Sequence, residues 1–395
     1  MISRSLTPKL LQMLRVFPIV CLTGARQSGK TTLARSLAPL LPAPMLYLDI
    51  ERPSDRDKLR EAELFLSQHQ DYCVVIDEVQ RLPEIFPLLR SLVDEDRTNG
   101  SDGIPGRFLL LGSAAPDLMR QASESLAGRV AYLELTPFQR GEVATTIPLM
   151  EHWVRGGFPK SLLAENEETS AIWREMFVNS YLERDLAQLV QTSFTPALMR
   201  RLWMMLAHYH GNVFNASELA GALGISAPTV SRYVEILEGA YLLHRLMPFH
   251  LNIKKRLVKT PKIYLRDSGL LHSLLNLSSF TEVSGHPVCG RSWEGYVVEQ
   301  ILNVLPRGIE AMFYRTQTGV EADVVLVQGQ RALASVEIKY SSAPQLTQGS
   351  YIAAEDVQAE QRFVVIPHGE AYPTAKGMTI CGLDFFLGEV VQKLG

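Results

Sequence analysis

The sequence predicts an α/β protein whose first part is a parallel sheet carrying a phosphate-binding loop, continued by helical segments and closed by a second α/β part. Three observations predict it. An apolar run, Val16 to Leu22, opens into Gly24-Ala25-Arg26-Gln27-Ser28-Gly29-Lys30-Thr31. Further apolar runs near 45–49, 72–77, 107–112 and 130–135 alternate with stretches of helical spacing, as strands and crossover helices do in a parallel sheet. From Trp293 a second alternation begins, with a helix at 293–305, strands near 311–315, 322–328 and 332–340, a helix at 346–358 and a strand at 362–366.

A strand that ends in a glycine-bounded loop and continues as a helix turns successive backbone N–H groups, and the positive end of the helix, toward one anion. Gly24 and Gly29 let the main chain wrap closely without a Cβ. In this pattern Lys30 reaches the β- and γ-phosphates and the Thr31 hydroxyl holds magnesium. Gly24 through Thr32 are therefore the expected cradle, ATP and Mg2+ its expected ligands, and residues 1–145 a P-loop NTPase sheet.

Cys73-Val74-Val75-Ile76-Asp77-Glu78 is a buried-strand run tipped by two carboxylates, a Walker B pattern. On a strand neighbouring the loop strand, Asp77 would orient magnesium and Glu78 would polarise the water that attacks the γ-phosphate. The next apolar strand ends in Ser113. Ser125 to Arg129 then leads into the run Val130 to Leu135. Asp49 and Glu51, at the end of the second strand, read as caps of the following segment.

Composition bounds the rest. With 395 residues the chain has room for two to four domains, and 46% hydrophobic content, 21% charged content and a net charge of -3 identify no partner. Four widely spaced cysteines without a CxxC or Cys/His cluster read as free thiols and argue against zinc. No stretch approaches the roughly 18 apolar residues that span a bilayer, so no membrane is expected and the cytoplasm is the expected location.

Gly156-Gly157-Phe158-Pro159 punctuates the chain before a helical stretch, Ile172 to Leu189, with Trp173, Phe177, Tyr181 and Leu182 at helical spacing. Residues 146–205 read as a helical lid. Within it Arg184 either senses nucleotide or belongs to an ion-paired surface. Ala216 to Leu223, Gly224-Ile225-Ser226 and Pro228 to Leu237 form a helix-turn-helix, with Ser226 as N-cap, Val230, Val234 and Leu237 facing inward, and Thr229, Ser231, Arg232 and Tyr233 facing outward. Tyr241 to Leu246 and Lys254 to Val258 would pair as a wing. Residues 200–262 hold nine Lys/Arg against three acids, so DNA is the expected partner of this segment, 206–285.

In the last part, 286–395, Glu294 lies on the first helix, Asp323 near a strand start, and Glu337-Ile338-Lys339 on the next strand. Two carboxylates and a lysine converging on a sheet edge can hold magnesium and activate water for phosphodiester cleavage, with Lys339 catalytic rather than a ligand. Glu337 and Lys339 share a face because they are two apart. Asp323 joins them only if it pairs at an even positional sum, which requires an odd turn around Gly329 or a bulge. Glu321 is the alternative to Asp323, and Glu299 to Glu294.

Taken with Lys262 to Leu270, these stretches resemble the prokaryotic AAA-type ATPases that carry a C-terminal domain of unknown function with a restriction-endonuclease-like core. The resemblance covers nearly the whole chain. It implies ATP binding and hydrolysis, a γ-phosphate sensor at Ser113, where such ATPases more often carry Asn or Thr and where a polar helix cap is the alternative, and at Arg129 either an arginine finger acting on a neighbouring subunit of a homo-oligomer or a helix-terminal arginine bonded to its own carbonyls. Two functions are expected: an ATPase coupled to a DNA-binding winged helix and a nuclease-like domain, or an ATP-switched DNA-binding or protein-interaction regulator with an inactive nuclease-like platform.

Overall fold

A computed structural model describes residues 2–98, 105–113, 126, 128–181, 195–250 and 256–394. The chain divides into two compact units, Met1–Phe138 with Gly239–Tyr241, and Gln139–Glu238 with Leu242–Gly395.

The first unit is built on five parallel strands: β1 (Ile19–Gly24), β2 (Met45–Asp49), β3 (Cys73–Asp77), β4 (Phe108–Ser113) and β5 (Val130–Glu134). Their spatial order is β2-β3-β4-β1-β5. The acid-tipped β3 is thus not the immediate neighbour of β1, as the sequence suggested; β4 lies between them. Every residue of β1 is buried because alternate side chains enter different cores. Ile19 and Cys21 pack with Val74, Ile76 and Leu110, whereas Val20 and Leu22 pack with Val75, Leu109 and Leu33. A two-sided strand has no solvent face, which explains the unbroken apolar run. Cys21 and Cys73 are buried free thiols, both pushed up to about 12 by burial.

The second unit begins with helices Arg140–Val143, Leu149–Arg155, Pro159–Leu162 and Glu167–Ser180. Asn166 caps the last of these by accepting from Thr169 N at 2.8 Å. The predicted aromatic spacing becomes a ladder: ring centroids lie 5.0 Å apart for Phe158 and Phe177, 5.2 Å for Trp173 and Phe177, and 5.4 Å for Phe177 and Tyr181. Arg184 lies outside the described residues.

Helices Ala216–Leu223 and Ala227–Gly239 flank Gly224, whose φ of 70° closes the first one. Ser226 Oγ accepts from Thr229 N at 3.3 Å, and Val230, Val234 and Leu237 are fully buried. Tyr233 departs from the expected outward face: it is buried, one position before Val234, on the inner edge of the helix. The wing also differs. β7 (Leu243–Leu246) pairs antiparallel with β8 (Lys262–Leu265), which pairs on its other side with β6 (Asn212–Val213). All four residues of β8 are buried, so this segment is the middle strand of the small sheet. Leu257, expected to pair with the first wing strand, bridges Thr316 instead.

The remaining strands are β9 (Glu310–Arg315), β10 (Glu321–Gln328), β11 (Arg331–Ile338), β12 (Gln361–Ile366), β13 (Tyr372–Pro373) and β14 (Thr379–Gly382), in the order β13-β14-β12-β11-β10-β9. Helix Cys289–Val304 precedes the sheet and helix Gln348–Val357 crosses between β11 and β12, which run parallel. β10 and β11 meet through a two-residue turn, Gln328 pairing with Arg331, but the register slips between Leu326 and Val327, so that Val324 pairs with Val336. The bulge supplies the even sum that Asp323 needs to share a face with Glu337.

Candidate functional site

At the tip of β1 the main chain turns with Gly24 at φ 142° and Gly29 at φ 101°. Gly24 has no room for a side chain: a Cβ there would stand 2.2 Å from Leu135 O. Lys30 is buried, and its Nζ donates to Gly24 O at 2.8 Å and Ala25 O at 3.0 Å. Burial pushes the ammonium down to about 8, against the pull of Glu78 and Asp77. Ser28 is fully buried, and its Oγ has no partner among the described residues. Arg26 is half-buried, while Gln27 and Thr32 face outward.

Thr31 Oγ1 donates to Asp77 Oδ2 at 2.7 Å, joining the helix after the loop to the tip of β3. Tyr47 on β2 also donates its hydroxyl to Asp77 Oδ2. Next to Asp77, Glu78 adopts the left-handed backbone at φ 57°, an uncommon conformation for a residue with a side chain. Its Oε2 accepts from Ser113 Oγ at 3.1 Å and from Gln80 Nε2, and Gln80 Nε2 also reaches Ser113 Oγ at 3.0 Å. Ser113 thus sits one hydrogen bond from the carboxylate expected to handle water.

These residues fit Mg-ATP. Two hard oxygen ligands already converge at Thr31 and Asp77, a buried ammonium lies in the cradle with only backbone carbonyls as hydrogen-bond acceptors, and the glycines leave the main chain open to a polyphosphate. Arg129 makes a two-pronged ion pair with Asp94 of helix Ile85–Thr98, Nε to Oδ1 at 2.6 Å and Nη2 to Oδ2 at 3.0 Å. Sequence reasoning missed Tyr47, Gln80 and Arg4. Arg4 is buried and donates to Ser28 O at 3.0 Å and to Thr136 O, fastening the loop from below. Its distance along the chain, 24 residues before Ser28, hides it from any local motif.

The second unit holds the other predicted cluster. One carboxylate oxygen each from Glu294, Glu321 and Asp323 lies within 4.8 Å of the others, so both carboxylates proposed as alternatives on β10 take part. Glu299 does not; it pairs with Arg266 at 3.2 Å. Glu337 binds Lys339 Nζ at 2.7 Å and accepts from Ser350 Oγ at 3.0 Å beside the cluster. Asp323 Oδ2 accepts from Ile338 N at 2.8 Å. Burial, with Glu294 and Glu337 nearby, raises the Asp323 carboxyl well above its usual range.

Lys262, counted from sequence among the basic residues of 200–262 and at the start of the Lys262 to Leu270 docking segment, enters this cluster from β8. Its Nζ bonds Glu294 Oε1 at 2.7 Å and Glu321 Oε1, and stands 4.0 Å from Asp323 Oδ1. Tyr264, two residues on, donates to Glu294 Oε1 at 2.5 Å. Burial opposes the Lys262 charge, but the surrounding carboxylates outweigh it and hold the ammonium well above its ordinary range. A divalent ion needs oxygens at about 2.0–2.6 Å on several sides. With Lys262 bound directly to two of the three carboxylates, the residues do not fit a metal there.

The basic face of residues 200–262 is correspondingly smaller than its composition implied. Lys262 is buried and Arg245 is paired with Glu238 at 2.7 Å, leaving Arg200, Arg201, Arg232, Arg256 and Lys259 exposed among the described residues.

Comparison with known proteins assigns three segments. Residues 16–144 match the model of an AAA domain, 146–281 a domain of unknown function (DUF8612), and 289–386 another (DUF4143). An uncharacterized protein of Mycobacterium tuberculosis and one of Mycobacterium bovis are each 40% identical over 384 residues, spanning 97% of this chain and 84% of theirs. An uncharacterized protein of Haemophilus influenzae is 24% identical over 282 residues, 64% of this chain and 68% of that one. Among solved structures, the chain is similar to the Walker-type ATPase PABY2304 of Pyrococcus abyssi, with a TM-score of 0.46 and 16% identity over 70% of this chain and 96% of that one. AMPPCP-bound DnaA from Aquifex aeolicus gives a TM-score of 0.31 and 13% identity over 59% and 86% of the two chains. The AAA match and the parallel sheet together identify the first unit as an AAA-type P-loop domain. Among the described residues, no helix is long and apolar enough to cross a membrane.

Proposed function

The chain belongs to the family of the mycobacterial proteins that it matches along nearly its whole length, and from that premise we propose that it hydrolyses Mg-ATP in its AAA domain. The single observation that carries this reading is the meeting of Thr31 and Asp77 beside the Gly24–Lys30 loop. Lys30 leaves its carbonyl partners for the phosphates, and the amides of Ala25 to Thr31 bind phosphate oxygens. Thr31 and Asp77 would hold Mg2+, which would neutralise charge on the phosphates. Glu78, released from Ser113 and Gln80, accepts a proton from the water that attacks the γ-phosphate.

Phosphate release by the full chain, dependent on Mg2+ and lost in Lys30→Ala, tests this reading. Equal release in the variant contradicts it.

The helix-turn-helix and the C-terminal sheet are the output of the nucleotide cycle, with DNA as the partner that their exposed arginines suit. Whether that output cuts DNA divides two readings. The position of Lys262 among Glu294, Glu321 and Asp323 favours the regulator: a restriction-endonuclease-like fold used as a platform, without cutting. Incubating the full chain with plasmid and Mg2+ or Mn2+ tests it, since cutting that disappears in Asp323→Asn contradicts the platform reading.

A further inference from the structure

We infer that the Lys262 ammonium is the resident cation of the C-terminal acidic pocket, standing where a divalent metal would otherwise bind Glu294, Glu321 and Asp323. The inference deepens the platform reading and concerns what neutralises that pocket.

Geometry comes first. Three carboxylates from two elements, helix Cys289–Val304 and β10, place oxygens within 4.8 Å of one another. Like charges at that spacing repel, and burial strengthens the repulsion, so the pocket is relieved by a cation, by proton uptake at Asp323, or by both. Lys262 supplies the cation from a third element, with its side chain only 2% exposed. Its Nζ contacts Glu294 and Glu321 directly and stands 4.0 Å from Asp323 Oδ1.

The surroundings are built for an ammonium rather than for a hydrated ion. The Phe313 ring centroid lies 5.6 Å from Lys262 Nζ, an aromatic contact that suits an organic cation. Tyr264 donates to the same Glu294 oxygen that binds Lys262, and Arg315 takes the second oxygen of Glu321 at 2.8 Å, so both oxygens of Glu321 and one of Glu294 are already engaged. Lys262 is carried on the fully buried middle strand of the small sheet, which fixes its reach. The charge thereby ties β8 to the C-terminal sheet as a permanent bond of this unit.

Mn2+ titration of the nucleotide-free full chain, read by the paramagnetic resonance of the free ion, tests the inference. Wild type should show no Mn2+ site that Glu321→Gln removes. Lys262→Met keeps the length of the side chain and removes the charge. It should gain one site, at least tenfold tighter than any wild-type binding in that pocket, and Lys262→Met with Glu321→Gln should lose it again. A wild-type site abolished by Glu321→Gln overturns the inference, as does a folded Lys262→Met protein that gains no ion. If Lys262→Met does not fold, the wild-type titration decides alone: a site sensitive to Glu321→Gln overturns the inference, and its absence upholds it. DNA cutting by wild type would overturn the platform reading, a separate outcome from Mn2+ uptake.

Discussion

Thr31 donates its hydroxyl to Asp77 Oδ2 at 2.7 Å, so the two side chains expected to share one magnesium ion are in direct contact. Thr31→Ala removes one ligand and one of the bonds that hold the other. Mg2+ dependence should shift to at least tenfold higher concentration while the chain stays folded, as measured by phosphate release across a magnesium series. An unchanged dependence would take Thr31 out of the metal site.

Ser113 holds Glu78 at 3.1 Å, with Gln80 bound to both. A residue that only positions the water-handling carboxylate changes turnover more than binding. Ser113→Ala should therefore lower kcat by roughly tenfold with little change in the Kd for ATP, less than the roughly 10²- to 10⁴-fold that the general base itself supplies. An equal loss in binding would identify Ser113 as a phosphate contact instead.

Arg129 is engaged by Asp94 of its own chain through both carboxylate oxygens. Action on a neighbour requires that pair to open. If Arg129 is a finger, Asp94→Asn should leave or raise ATP turnover and Arg129→Ala should abolish it, with mixtures of Arg129→Ala and Lys30→Ala chains recovering activity. A purely local role predicts similar thermal destabilisation from both substitutions and no recovery on mixing.

Gly156 and Asp267 are matched by sterics. Asp267 accepts from Gly157 N at 2.8 Å and Leu270 N at 2.9 Å, and a Cβ on Gly156, whose φ is 72°, would stand 2.2 Å from Asp267 Oδ1. Gly156→Ala should destabilise the second unit by on the order of 2–4 kcal/mol, combining backbone strain with a buried clash. All four tryptophans, Trp153, Trp173, Trp203 and Trp293, belong to that unit, so denaturant unfolding followed by tryptophan fluorescence reads it directly.

Two buried histidines set an acid limit on the same unit. His272 Nδ1 donates to Val154 O at 3.0 Å and Nε2 accepts from Ser292 Oγ at 2.7 Å, an arrangement that needs the neutral ring. Burial pushes His272 down to about 3 and His210 to about 4. The unfolded chain takes up these protons near pH 6.5, so the stability each ring contributes is present above that and is lost as pH falls toward 4. Each histidine adds about 1.4 kcal/mol of loss per pH unit in that window. His272→Asn should lower stability at pH 7 and make its fall between pH 6 and 5 shallower by one proton; an unchanged slope would contradict the assignment.

The loop after β1 and the acid tip of β3 were legible because their signals are local: eight consecutive residues specify the turn, the ammonium and the hydroxyl, and Asp77-Glu78 end an apolar run of strand length. Strand order was not legible. Nothing in Cys73 to Glu78 says that β4 inserts beside β1, since that depends on how the crossovers stack. The face of Asp323 could be stated as a parity condition, but only the structure reveals the bulge at Leu326 that satisfies it. Lys262 and Arg4 escaped because a side chain that serves a distant element leaves no periodic trace. Tyr233 was misread because an amphipathic residue at the edge of a helix's buried face fits either side by spacing alone.

Glu78 is where the account is most exposed. Glu78→Gln keeps the size of the side chain and its contact with Ser113 but cannot take a proton from water. Single-turnover phosphate release from Mg-ATP should fall by at least about 100-fold while ATP binding by calorimetry is retained. Release at the wild-type rate from the folded, ATP-bound variant would contradict the proposed hydrolysis mechanism.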